Sequence, residues 1–454
     1  MATQETARGA TAGDGPVDPG ALPRGVRIGY GSGSVATGAF GTVPGLMLLP
    51  FLTDSLGIAA VLAGVIVFLP KAWDVVLNPI AGRISDRSTD PRGPRRPFLL
   101  RAGLVLAASF ALIFAAPSMA TGLEAAWVLV CFLGCASAYA FFQVPYVAMP
   151  AEMTTSYDER TRLMTWRVAI LALTILVAGG TAPLIRDAVG GRDGYRVMGV
   201  VMALIILVGV VSSYVGTRRA PVGSVQPGAG SLRDQLRIVA TARDFRLLLT
   251  TFVVQALATG AMLAGVDYLA EDVLDSTGAA TVLFLCFVGP ALLLTPAWSA
   301  LGQRIGKKRG YLASSLFLAV GAALAAFADV APAAVVFAAV GLAGVGYAGC
   351  QVFPMAMLPD AAAVDARRTG SGRAGVYTGV WTAGETLGLA LGPAVFALVL
   401  ALGDYQSSTD GAAAQPGSAV TAIVLGFSLL PALLVLVSLW WLARYTLDAE
   451  EVDA

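Results

Sequence analysis

Histidine is absent from the 454 residues, charged side chains make up only 13%, and cysteine occurs four times. Without histidine the usual proton shuttle near neutral pH is missing, so any proton-linked chemistry falls to carboxylates. Cys131, Cys135, Cys286 and Cys350 all sit in apolar runs, where a free thiol behaves as a small hydrophobe. No disulfide framework is expected, and with no second ligand pair beside Cys131 and Cys135 a zinc or haem site is excluded. The chain also lacks a nucleophile with a partner base, a metal cluster and a cofactor motif, so neither enzymatic activity nor a cofactor is expected. A net charge of +1, with basic residues dispersed through short turns, excludes a nucleic-acid partner. Finally, Met1 to Arg24 lack the charged start, apolar run and small-residue site of a secretory leader. Residues 1–26 therefore read as a disordered cytoplasmic tail, and the acidic end, 446–454 with Asp448 to Asp453, as a solvated terminus.

What is abundant is apolar surface: 57% of the residues are hydrophobic, and the mean hydropathy is +0.75. No soluble core hides that much, which makes the chain a polytopic membrane protein. A crossing needs about 20 mostly apolar residues, and twelve segments qualify. Six are Ile28–Leu52, Ile58–Ile84, Phe98–Ala116, Ala125–Met149, Leu163–Ile185 and Val197–Val215. Six more are Leu247–Ala270, Thr281–Leu301, Tyr311–Ala328, Pro332–Leu358, Val376–Ala401 and Val420–Leu442. With both termini inside, the cytoplasmic turns collect Arg83 to Arg101, Arg160, Arg162, Arg218 to Arg246, Lys307, Lys308 and Arg367 to Arg373. Only Arg186, Arg192 and Arg196 fall outside, where turns carry Asp54, Glu124, Asp267, Glu271, Asp272 and Asp404. That bias is the positive-inside pattern of a plasma-membrane protein with cytoplasmic termini.

The halves repeat. Gln143-Val144, Ala148-Met149, Glu152 and Arg160-Thr161 recur at one constant spacing as Gln351-Val352, Ala356-Met357, Asp360 and Arg368-Thr369. Such duplication with unchanged orientation predicts two six-helix bundles, 27–217 and 245–445, related by an axis along the membrane normal. Residues 218–244, Gly/Pro-rich with a short amphipathic run at Leu232–Ile238, suit a tether between them.

Asp74 lies within the second crossing, and an acid at that depth is by default a functional-site hypothesis. Asn78 is one turn later on the same helix face. Together, with Gln143 from another helix, they suit a sodium ion, whereas a proton needs Asp74 alone. The bland alternative is an ion pair with Lys71. Glu385, in Trp381-Thr382-Ala383-Gly384-Glu385-Thr386, is the other deep acid, either a second protonation or substrate group or a neutral packing residue. Arg167 stands early in the fifth crossing, placed either to hold an anionic or hydroxylated solute or to snorkel to the headgroups. Tyr30, Tyr139, Tyr146, Gln255, Tyr347, Gln351, Tyr377 and Trp381 are candidate cavity groups. Gly344-Val345-Gly346-Tyr347-Ala348-Gly349 fits a dinucleotide fingerprint, but no strand precedes it, so helix packing is expected. The same packing is expected of Gly41-x-x-x-Gly45.

Lys71-x-Trp73-Asp74-x-x-x-Asn78-Pro79-x-x-Gly82-x-x-x-Asp86-Arg87, followed by Gly93 and Arg96-Pro97, resembles the second-helix signature of glycoside-pentoside-hexuronide:cation symporters of the major facilitator superfamily. Thr53-Asp54, Pro145-Tyr146 and Glu159-Arg160-Thr161 are similar too. The resemblance implies a cation-binding role for Asp74, a substrate-side role for Arg167, and a gating loop with Asp86, Arg87, Gly93 and Arg96. It also implies alternating access by twelve helices. The chain departs from sugar-carrying members such as the melibiose carrier: Asn78 replaces a second acid, Gln143 an aspartate, and Glu385 a lysine.

The expectation is thus a symporter of a small solute, a sugar or glycoside by resemblance. Coupling is to H+ or Na+ at Asp74, Asn78 and Gln143. The solute is met by Arg167, Gln143, Tyr146, Gln351, Tyr377, Trp381 and Glu385. Rival readings are a carrier or exporter of an amphipathic, lipid-like metabolite, and a non-transporting sensor with Asp74 fully paired to Lys71. Membrane lipids, the solute and the cation are the only expected partners of a monomer.

Overall fold

The computed structural model describes residues 22–88, 90–93, 95–154, 156–221, 242–276, 278–369, 374–409 and 414–447. Most of the expected N-terminal tail, the Leu232–Ile238 run, Arg373 and the acidic end from Asp448 lie outside the described residues.

Twelve helical spans are long and apolar enough to cross a membrane, and the described residues contain no strand. In chain order they are α1 (Arg24–Pro50), α2 (Ala60–Asp86), α3 (Arg96–Phe114), α4 (Thr121–Met153), α5 (Tyr157–Val189) and α6 (Gly191–Thr217). Then come α7 (Arg243–Tyr268), α8 (Ala279–Ile305), α9 (Lys307–Leu324), α10 (Ala333–Thr369) and α11 (Ala374–Leu402). The last crossing is broken at Ser428 into α12 (Gly417–Phe427) and α13 (Leu429–Ala443). Ser428 turns its hydroxyl back onto the carbonyl of Val424 at 2.5 Å, a competition with the helix ladder that bends helices.

Packing within the halves is the same. In the first, α1 lies on α5 and α6, α3 on α4 and α6, and α2 on α4; in the second, α7 lies on α11 and α13, α9 on α10 and α13, and α8 on α10. Close approach depends on glycine. A Cβ on Gly29 of α1 would come within 2.5 Å of Gly216 of α6, and one on Gly392 of α11 within 2.5 Å of Gly260 of α7. Gly344, Gly346 and Gly349 do face backbone or side chains of α8 and α9, as expected of packing glycines. Gly41 departs from expectation: nothing lies within 4 Å of its Cβ position, and only Gly45 packs, against Leu263.

A fastening at the end rich in basic residues is also duplicated. Arg95 ion-pairs with Asp86 at 2.8 Å and Glu152 of α4 at 2.8 Å, while Arg96 donates to the carbonyls of Arg218, Ala220 and Pro221 past the end of α6. Lys307 pairs with Asp360 of α10 at 2.5 Å, and Lys308 donates to the carbonyls of Ala443 and Tyr445 at the end of α13. The last carbonyls of a helix have no partner of their own, which is why a cation serves there.

The halves meet chiefly through α2 with α11, α5 with α8, and α1 with α7. Their described bonds lie at the acidic end. Asp54, Asp267, Glu271 and Asp272, expected in turns, are instead on helix, because α1 continues through a π turn at Phe51–Ser55 and α7 through one at Leu269–Val273. Arg186 of α5 reaches Asp267 at 2.5 Å and Glu271 at 2.7 Å. Tyr405 donates to Asp54 at 2.8 Å and lies 3.2 Å from Asp272, Thr53 meets Tyr268 at 2.7 Å, and Thr281 donates to the carbonyl of Gly180. Tyr405 lies beyond the spans. Burial, then the Asp54 charge, pushes its phenol far above the usual range, so it stays the proton donor of this seam.

Candidate functional site

Asp74 is 4% exposed on α2, and its Oδ1 has no hydrogen-bond partner among the described residues. Lys71, one turn earlier, exerts an attractive charge on it, but no ion pair within 4 Å joins them among the described residues. The Lys71 ammonium instead lies 4.2 Å from the ring centre of Phe40 on α1, a cation–π placement. Asn78 is half-buried on the same face of α2.

Tyr139 of α4 ties this acid to the rest. Its ring packs against Phe40 at 4.4 Å, and its hydroxyl faces Thr37 within electrostatic reach of Asp74, Arg167 and Glu385. Thr37, on α1, donates to Gln143 Oε1 at 2.7 Å. Arg167 is half-buried on α5; its Nε lacks a hydrogen-bond partner among the described residues, and its guanidinium lies 5.7 Å from the Tyr146 ring centre. Tyr146 is fully buried, donating to the carbonyl of Tyr30 at 2.8 Å and contacting Ser34 at 3.0 Å. Its hydroxyl oxygen, whose proton is engaged, can still accept from Arg167, with which it interacts.

From the other half, Phe252, Gln255 and Thr259 of α7, Tyr347, Cys350 and Gln351 of α10, and Glu385 and Leu389 of α11 line a half-open pocket. Trp381 stacks on Phe252 at 4.4 Å, with its indole N–H unpartnered among the described residues. Tyr377 sits edge-on to Phe245 at 4.5 Å, about two turns from Glu385 along α11. The structure therefore places Asp74, Arg167 and Glu385 within electrostatic reach of Tyr139, with Gln143 bonded through Thr37 and Gln351 in the pocket beside Glu385. A closed Lys71–Asp74 ion pair, one expected mark of a non-transporting centre, is absent among the described residues.

The four loop residues lie apart, at the basic end. Asp86 and Arg96 are the ends of the ion-pair and carbonyl network above, Gly93 takes φ 108°, a backbone that favours glycine, and Arg87 is exposed. Glu152, outside the span, has its carboxyl pushed up by burial, with Arg95 opposing. Thr37 and the orientation of Lys71 over Phe40 were not readable in the sequence. A threonine in an apolar helix carries no signal of its own, and the side of Lys71 is set by a ring on another helix.

Three comparisons bear on this geometry. The family described as MFS/sugar transport protein matches residues 29–449. YagG of Escherichia coli (strain K12), whose given name places it with glycoside/cation symporters, is 26% identical over 94% of this chain and 93% of its own. The isoprimeverose transporter of Lactiplantibacillus pentosus is 24% identical over 90% of this chain and 86% of its own. A solved structure of a bacterial homolog of the human lysosomal transporter Spinster, inward-facing and unoccupied, shares the fold with TM-score 0.69 at 13% identity, covering 94% of this chain and 96% of that one.

Proposed function

Because the chain belongs to the family of MFS/sugar transport proteins, we propose that it is a cation-coupled symporter of a sugar or glycoside. The halves, 27–217 and 245–445 joined by 218–244, rock about the central space in a plasma membrane with both termini in the cytoplasm. The observation that carries the reading is the buried oxygen of Asp74, unpartnered among the described residues and linked through Tyr139 to Arg167 and Glu385. An acid held at that depth is expensive unless it exchanges a cation with a cavity.

The coupling ion is a proton. A sodium ion takes several oxygen ligands, and here one carboxylate stands with Lys71 a turn away and Gln143 Oε1 already bonded to Thr37. Asn78 and Gln143 then orient and polarise the site. Arg167, Gln351 and Glu385 meet the solute, Trp381 and Tyr377 buttress the pocket wall, and Tyr146 supports Arg167. Asp86, Arg87, Gly93 and Arg96 shape the loop that moves as the basic end opens. The bonds that join the halves at the acidic end support a form closed there and opening at the basic end, which is the cytoplasmic one on this reading.

The test is uptake in proteoliposomes under an imposed pH or sodium gradient. Asp74→Asn is expected to abolish accumulation driven by the pH gradient while sparing counterflow of the same glycoside. Uphill uptake retained by that variant, or accumulation that follows sodium alone, refutes the assignment.

A further inference from the structure

The pocket of the second half is unusual in what it offers a ligand. Gln255 places its Nε2 at 3.0 Å from Ser315 Oγ and 2.9 Å from Ser438 Oγ. Each of those hydroxyls already donates to a backbone carbonyl, that of Tyr311 and that of Val435. A hydroxyl has one proton, so both serines can only accept, and the amide must turn its nitrogen to them. Its Oε1 is thereby left over, and it has no partner among the described residues.

The other polar groups point the same way. Thr259 spends its proton on the carbonyl of Ala256 at 3.1 Å, keeping only lone pairs. Tyr347 and Gln351 hydrogen-bond one another. Glu385 has no ion-pair partner among the described residues, and no lysine or arginine lines the pocket. What remains unspent is three acceptor groups, Gln255 Oε1, the Thr259 hydroxyl oxygen and the Glu385 carboxylate, in a pocket that Phe252 also lines. A neutral hydroxyl brings one proton to such a set, whereas an ammonium brings three and a charge that suits both carboxylate and ring.

We propose that this pocket is a subsite for a protonated amine, held by Glu385, Gln255 Oε1 and Thr259 against Phe252, and that the transported solute is an amino-bearing glycoside. The inference rests on the glycoside reading above and narrows it. The first half, with Arg167 and Lys71 around the lone Asp74, takes the hydroxylated remainder. The solute's charge is then balanced in a pocket that no lysine or arginine lines.

Binding is measured on the purified full chain in lipid nanodiscs at pH 7 by isothermal titration. The probes are methyl glucosides with a primary amine at C2, C3, C4 or C6, each beside its hydroxy and N-acetyl counterparts. At least one amine is expected to bind about tenfold or more tighter than its hydroxy partner, the scale of a charge-assisted hydrogen bond, with acetylation removing the gain. In Glu385→Gln the ratio of amine to hydroxy affinity is expected to fall towards one, whatever the absolute affinities become. Neutral glucosides that bind while no amine is preferred overturn the subsite and leave the glycoside reading standing. A preference that persists in Glu385→Gln overturns it as well, and failure of every glucoside, neutral or amino, removes both readings.

Discussion

Arg186→Gln attacks the seam between the halves at its centre. The guanidinium meets Asp267 at 2.5 Å, Asp187 at 2.7 Å, Glu271 at 2.7 Å and the Tyr195 hydroxyl at 3.1 Å. These contacts are unequal. Glu271 is half exposed and Asp187 is the adjacent residue on the same helix, so each counts for about 0–1 kcal/mol. Asp267 is 1% exposed. Stripping its partner strands a carboxylate away from water, at a cost of ~3–5 kcal/mol. Because Arg186 is on α5 and Asp267 on α7, that cost falls on the state in which the acidic ends touch and vanishes once they part and hydrate. At ~1.4 kcal/mol per tenfold, the balance between sealed and parted forms moves by roughly two to four orders of magnitude. Spin labels at exposed positions 193 and 330, at the acidic end of either half, report the separation by pulsed dipolar spectroscopy. The variant is expected to shift the distribution to longer distances, and adding Asp267→Asn to bring it back, since the stranded charge is then gone. An unchanged distribution, or no recovery in the double variant, refutes the reasoning.

Other expectations follow from packing and from the duplicated fastenings. Gly392→Val drives a side chain into the backbone of Gly260 and Ala261 and is expected to lower thermal stability in nanodiscs by ~1–3 kcal/mol or more. Gly41→Ala, with open space around it, should be neutral or gain ~0.5–1 kcal/mol from helix propensity; a loss as large as that of Gly392→Val contradicts the packing described. Arg96→Ala and Lys308→Ala each remove a cation from the carbonyls closing a half, and both are expected to cost ~1–3 kcal/mol. A melting temperature that drops for one and not the other breaks the equivalence of the two fastenings.

The twelve crossings were legible because each is a continuous apolar run. The duplication was legible because Gln143 to Thr161 and Gln351 to Thr369 share spacing as well as residue type. Asp74 stood out as a charge without business in lipid. The seam was not legible. Arg186 and Asp267 are far apart in the chain, and each looks alone like an ordinary end-of-helix charge. Asp54, Asp267, Glu271 and Asp272 were read as turn residues because polar character suggests water, but π turns carry both helices past the apolar stretch and into contact. The break at Ser428 left no trace either, since a serine in an apolar helix more often bonds back without interrupting it. The donor bookkeeping around Gln255 needs three helices in place before it says anything.

The twin basic fastenings have a mechanical corollary. Among the described residues Arg95 and Arg96, like Lys307 and Lys308, clasp their own half, so those clasps survive every swing intact, as a door keeps its frame when it moves. The toll of reversing the carrier is then levied at one place, the carboxylate-laden rim opposite. Mutations there should change how fast the molecule turns over, and mutations at the clasps how long it lasts.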